Sequence, residues 1–442
     1  MELRPGSGRT ARDVAVRALT EVLDRHQPLD DAFERALKSA GKDLEPRDRG
    51  FARLLVTTAL RRLGEIDERL ETLIARPLPA DAVRVRSILQ ITAAQLIFLA
   101  TPAHAAVDSA VSLTRAESRH ERFSGLVNAV SRRLAQGSGD TAASRRQGRR
   151  NTPDWLWRRW VSTYGESTAA KIAEAHLHEP ALDLSVKGDA GLWAERLGAD
   201  VLGGGGLRLR AHGRIEELSG FAEGAWWVQD AAAALPAQLL GDIAGREVLD
   251  LCAAPGGKTA QLVASGARVI AVDSSRRRLG ILRRNLDRLS LTAEVIEADV
   301  RSWSPGRRFE RVLLDAPCLA TGTIRRHPDL PYLKSEAGLE ALLLRQRELL
   351  DRAVDLLAPG GVLVYATCSL EPEEGEGQIE VGLARHSGMR VVGIQSGEAG
   401  IQPEWITDLG YLRTLPFHSP GNGPNVAGMD GFFAARLIKA AR

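Results

Sequence analysis

Three cysteines stand in this chain of 442 residues, and two of them follow short apolar runs that read as strands. One run ends in Leu314-Asp315-Ala316-Pro317-Cys318, the other in Ala366-Thr367-Cys368-Ser369. Ligands of open α/β sheets bind beyond the carboxyl ends of the strands. Cys318, Cys368 and Asp315 are therefore expected together at one rim. A thiol there can act as a nucleophile, provided it is held as thiolate. The ordinary alternative is a pair of inert buried thiols, but two of only three cysteines meeting at one rim argues against it. An odd, sparse count points to a reducing compartment rather than a disulfide. Zinc is disfavoured because no Cys-x-x-Cys or histidine pattern accompanies them.

The third thiol, Cys252, lies in Asp250-Leu-Cys252-Ala253-Ala254-Pro255-Gly256-Gly257-Lys258-Thr259, between a strand and a helical run. A glycine turn in that place lets a ligand approach the backbone, and the helix start offers N–H groups to an anion. A P-loop would share Gly257, Lys258 and Thr259, but its first glycine falls on Cys252. The dinucleotide fingerprint is absent from this loop. Asp273 ends the next strand, where a carboxylate suits ribose hydroxyls; its structural alternative is a helix cap. Asp299 ends the third strand, placed to accept from an adenine amino group. Lys258 brings positive charge to the thiols or simply orients the loop.

The elements that must position these residues follow from periodicity. Strands are expected at 247–252, 268–272, 293–297, 310–314, 362–367, 390–394 and 431–437, with helices between most of them. That alternation predicts a doubly wound, mostly parallel sheet over 241–442. Residues 1–135 read as consecutive amphipathic helices, interrupted at Pro77, Pro79 and Pro102. Residues 136–152 are polar, carry four arginines against one aspartate, and read as a basic linker. Residues 153–240 read as a mixed α/β connector. Its Trp155, Trp157 and Trp160 suit packing better than base stacking. The net charge of +3 describes no general wrapper of nucleic acid, but arginines cluster locally. Arg325, Arg326 and His327 follow Cys318 closely enough to hold phosphates near it. The arginines of 276–284 read equally as a solvated helix face. Neither a membrane span nor a secretory leader is apparent.

A thiolate, a second thiol, a carboxyl and a strand-end cradle suit one reaction well. Addition of the thiolate to C6 of cytosine breaks the ring's aromaticity and makes C5 nucleophilic toward a methyl donor. A carboxyl near N3, the place read for Asp315, stabilises the charge that develops. A further group must help remove the C5 proton before the thiol can leave. The base must be single-stranded or flipped from its stack. These residues leave open which thiol is the nucleophile.

The motifs LDLCAAPGGKT, LLDAPCLATGTIRRHPDL, YATCSLEPEE and MDGFFAARLIK resemble the Sun/Fmu family of bacterial RNA 5-methylcytosine methyltransferases, over roughly residues 150–442. The helices of 9–135 are similar to the NusB-type RNA-binding domain that such enzymes carry in front. The resemblance implies a multidomain protein: an all-α NusB-like domain, then a Rossmann-like class I domain with a seven-stranded sheet that binds S-adenosylmethionine. It makes Cys368 the nucleophile and Cys318 the aid to product release. It assigns the cofactor to Cys252 through Lys258, Asp273, Asp299 and Asp315. It further implies a 16S rRNA cytosine methylated before full subunit assembly, in the cytoplasm, by a monomer with no obligate protein partner. Leu319, where a small polar residue is expected, and the apolar run after Gln229-Asp230 depart from the family pattern. A P-loop NTPase and an RNA-binding scaffold without activity are the rival readings. The defective glycine pattern opposes the first, and retention of both thiols with Asp315 opposes the second.

Overall fold

A computed structural model describes residues 7–40, 44–137, 147–210, 213–421 and 428–441. The chain divides into two compact units: one holds residues up to His178 together with Arg326–Ser335, the other Glu179–Arg325 and Glu336 onward.

The first unit is helical. Helix Val83–Ile97 has twelve buried residues out of fifteen, so it is a central helix rather than a surface one. Helices Ser7–Arg25, Pro46–Arg61, Ala103–Arg115 and Ser124–Gly137 pack around it. Polar side chains on it find partners in the neighbouring helices: Arg12 Nε donates to Gln95 Oε1 at 2.6 Å, and Gln90 Nε2 donates to Asp67 at 2.8 Å. Segment Arg326–Ser335 is fastened to these helices. Leu29 N–H, at the start of helix Leu29–Ser39, donates to Asp329 at 2.8 Å, and the Tyr332 hydroxyl donates to Leu60 O at 3.1 Å.

The expected linker and connector fall differently. Residues 138–146 of the linker lie outside the described residues, but Gln147–Arg150 form a helical turn. Gly148 sits so close to that turn's neighbour that a Cβ would lie 2.6 Å from Glu174 N. Helix Asp154–Ala175 belongs to the helical unit. Trp160 is 1% exposed and tilts against His176, with ring centroids 5.3 Å apart. These side chains pack, and the periodicity after 150 marks the end of one unit rather than the start of another.

The second unit opens with a small antiparallel sheet of β1 (Asp183–Val186), β2 (Ala199–Val201), β3 (Leu207–Leu209) and β4 (Trp226–Val228), in the order β2-β3-β1-β4. Arg208 and Asp183 form a fully buried bidentate pair at 2.7 and 2.8 Å that ties β3 to β1. The main sheet follows. It contains β5 (Glu247–Leu251), β6 (Arg268–Asp273), β7 (Glu294–Glu297), β8 (Phe309–Asp315), β9 (Leu357–Thr367), β10 (Met389–Val391), β11 (Leu412–Thr414) and β12 (Phe432–Lys439).

Its order is β10-β12-β9-β8-β5-β6-β7, with β11 paired to β12. The pairs from β9 to β7 are parallel, and β10, β11 and β12 are antiparallel additions. All seven expected strands are present. β11, three residues long, carried too little pattern to be read. Successive residues of β5 face opposite layers: Leu249 and Leu251 join the core beneath helix Leu339–Leu356, while Val248 joins the core beneath helix Ala231–Gln238. Buried on both faces, the parallel strands bring their carboxyl ends to one rim.

Candidate active site

β5 ends at Leu251 and the chain turns through Cys252, whose φ of 59° is left-handed, into helix Gly257–Ala264. Gly256 has a φ of 101°, and a Cβ there would lie 2.7 Å from Leu282 Cγ, so both backbone and space demand glycine. At Gly257 the nearest atom to an added Cβ is 3.9 Å away, which leaves the helix mouth open. No side chain caps this helix. Its first N–H groups are therefore available to a carboxylate ligand.

Asp273 closes the cradle. Its two oxygens accept from Ala254 N at 3.1 Å and Ser275 N at 2.8 Å, which holds the carboxylate against the loop. Further lone pairs remain for ribose hydroxyls. Asp299 is gripped by Arg301 at 2.6 Å, and this partner holds its carboxyl down at about 2. Beneath the loop, Asp250 is fully buried and accepts from the Thr259 hydroxyl at 2.6 Å. Burial pushes this carboxyl up to about 7. An uncapped helix start, a carboxylate at the end of the neighbouring strand and an open glycine floor fit S-adenosylmethionine.

The thiols meet across two adjacent parallel strands. β8 and β9 are in register with Asp315 opposite Ala366, so their exits run side by side. Cys318 Sγ lies 3.5 Å from Cys368 Sγ, and both side chains are half-buried. The Cys318 thiol is pushed well up by its hydrogen bond to Cys368, by burial and by that neighbour's charge. Lys258 Nζ bonds Asp315 at 2.8 Å and stands 4.8 Å from the centre of the Phe432 ring. Burial opposes its charge most strongly, but the negative groups around it, Asp315 first, together hold the ammonium's pKa above its usual value. Loop, carboxylate and both thiols are thus brought together as expected.

The arginine cluster after Cys318 splits. Arg325, expected to hold phosphate, is instead 4% exposed, with Asp230 at 3.4 Å and Asp430 at 3.5 Å. Its charge is spent inside the fold, and this expectation is corrected. Arg326 is half-buried and His327 exposed, both in the helical unit.

Sequence reasoning missed the braces behind the thiols. Glu374 and Gln346, each fully buried, hold the backbone on either side of Cys318. Thr321 Oγ1 accepts from Leu370 N at 2.9 Å, and Gly322 N donates to Cys368 O at 3.0 Å, stitching the two thiol segments together. Gly322 and Gly431 approach so closely that a Cβ on the former would fall 1.9 Å from Gly431 O. The only local signal was negative: Glu374 lies in an acidic run, Glu371-Pro-Glu-Glu374, that reads as surface.

This strand-end cradle on a parallel sheet defines an S-adenosylmethionine-dependent methyltransferase domain. Residues 237–438 match the model of the 16S rRNA methyltransferase RsmB/F family, and residues 9–136 that of the NusB family. The ribosomal RNA small subunit methyltransferase B of Vibrio cholerae is 36% identical over 97% of each chain. That of Pseudomonas putida is 35% identical, covering 97% of this chain and 98% of its own. The crystal structure of PH0851 superposes with a TM-score of 0.76 at 23% identity, over 99% of this chain and all of that one. The chain belongs to the ribosomal RNA small subunit methyltransferase B family.

Proposed function

We propose that this protein methylates carbon 5 of a cytosine in 16S rRNA through a covalent bond between Cys368 and C6. The observation that carries this reading is the 3.5 Å approach of Cys318 and Cys368 beside the Lys258–Asp315 pair. The Lys258 ammonium, held on Asp315, brings positive charge to the thiol pair and so favours a thiolate there, and the family resemblance makes Cys368 the nucleophile.

The Cys368 thiolate adds to C6, forming the C–S bond and shifting electron density to C5 and N3. Asp315, paired with Lys258, is the group we assign to the charge on the N3 side. S-adenosylmethionine, when bound by Cys252 through Lys258, Asp273 and Asp299, supplies the methyl group. Cys318 gives its thiol proton to water. Cys318 then accepts the C5 proton. The C6–S electron pair returns to Cys368, and the 5,6 double bond re-forms.

Two free thiols in contact suit a reducing cytoplasm. A flipped or single-stranded base suits rRNA before its subunit is fully assembled, and one chain carries the whole site, so a monomer suffices. Arg326 and His327, unlike Arg325, are the residues we assign to RNA phosphate.

Unmethylated 16S rRNA incubated with methyl-labelled S-adenosylmethionine, digested to nucleosides, tests the reaction. The label is expected in 5-methylcytidine, with none from Cys368→Ala. Label in another nucleoside would overturn the reading.

A further inference from the structure

We infer that Glu374, with Gln346, positions Cys318 for the release half of the reaction, an inference that rests on the covalent reading above. The two peptide groups that flank the Cys318 Cα are each held by this pair. On one side, Gln346 Nε2 donates to Pro317 O at 2.9 Å. On the other, Leu319 N–H donates to both oxygens of Glu374, at 3.0 and 3.1 Å. The two holding side chains are themselves joined, Gln346 Nε2 to Glu374 Oε1 at 2.8 Å. Fixing both flanking peptides fixes the direction of the Cα–Cβ bond, and with it the arc that the Cys318 sulfur can sweep.

The clamp is built into the interior. Glu374 and Gln346 are each 0% exposed. Glu374 is anchored in turn by the Tyr365 hydroxyl, which donates to its carbonyl oxygen at 2.8 Å. Burial raises the Glu374 carboxyl above its usual range, against the bonds from Ser369, Gln346 and Leu319. A buried acid is a costly way to hold a loop, and an apolar residue would pack there without that cost. What the carboxylate adds is a two-oxygen grip on one N–H, which limits rotation as well as distance. Glu374 lies six residues beyond Cys368. The segment that carries the nucleophile therefore also carries the group that sets the second thiol's place.

The role is specific to one half of the cycle. Cys368 enters from β9, so attack on C6 and methyl transfer do not require the clamp. Removal of the C5 proton by Cys318 does. Glu374→Gln puts an amide N–H group opposite Leu319 N–H, donor against donor, and removes the charge. Gln346→Met frees the Pro317 carbonyl while keeping the side chain's length.

Single-turnover methyl transfer, steady-state turnover and the denaturant-stable RNA adduct are measured together on the full-length protein, with melting temperature as a control on folding. In Glu374→Gln, single-turnover transfer is expected within about twofold of wild type. Turnover is expected to fall roughly 10- to 100-fold as methylated adduct accumulates. Gln346→Met should show the same signature, and it decides the matter alone if Glu374→Gln does not fold. Wild-type turnover in the folded variants would overturn the inference. So would a fall in single-turnover transfer that matches the fall in turnover, without adduct. Cys318→Ala is the reference: if it too yields no adduct, the covalent reading fails, whereas adduct from Cys318→Ala alone sinks only the role of the clamp.

Discussion

The cofactor cradle and the thiol site share one rim of one sheet, yet they are built by different means. The cradle is made of backbone: a left-handed residue, an obligatory glycine and an uncapped helix within Cys252–Thr259, closed by Asp273. The thiol site is made of side chains drawn from three stretches, around Cys318, Gln346 and Cys368, with buried charges behind them. A ligand that recurs unchanged is met by fixed amides. A reaction that forms and breaks bonds on a ring needs groups that hold and release protons. If this contrast is right, damage to the cradle should appear in cofactor affinity, and damage to the thiol side in the fate of the RNA.

The largest effect on stability is expected from the thiol side. Arg325→Leu leaves Asp230 and Asp430 buried without their cation, a loss of about 3–5 kcal/mol. Thermal or denaturant unfolding measures it. A shift near zero would mean that the triad is no brace. Gly256→Ala comes next. A Cβ at 2.7 Å from Leu282 and an unfavourable φ should cost roughly 1–3 kcal/mol and weaken S-adenosylmethionine binding, as read by calorimetry. Unchanged cofactor affinity with slowed adduct release would break the contrast outright.

A further effect sharpens the contrast by pH. Asp250 is raised from 3.8 to about 7 by burial, so its contribution to stability is complete below about pH 4 and is lost as pH rises through 7. Asp250→Asn cannot ionise. Its stability relative to wild type should therefore rise between pH 4 and pH 8, on the order of a few kcal/mol, and then level off. A difference that is flat with pH would show that the carboxyl is not neutral in the fold.

What was legible in the sequence divides along the same line. The cradle residues are contiguous and their spacing alone predicts a strand, a tight turn and a helix, so the loop was read correctly. Both thiols and Asp315 were placed from strand ends. The clamp could not be read, because Gln346 meets Pro317 from 29 positions away, Glu374 meets Leu319 from 55, and each looks polar and exposed in its own stretch. Arg325 was misread for the converse reason. In sequence it heads a basic cluster, and only the fold brings Asp230 and Asp430 around it, 95 and 105 positions distant. Local pattern reports which backbone a segment adopts. It does not report which buried charge another segment will neutralise.

The account's central claim is that Cys368 forms the bond to the base and Cys318 ends it. Wild type, Cys318→Ala and Cys368→Ala, each incubated with S-adenosylmethionine and unmethylated 16S rRNA, are compared on denaturing gels while methyl transfer is counted. A denaturant-stable RNA adduct is expected from Cys318→Ala, and neither adduct nor methylation from Cys368→Ala. An adduct from Cys368→Ala alone would exchange the roles of the two thiols and contradict this account.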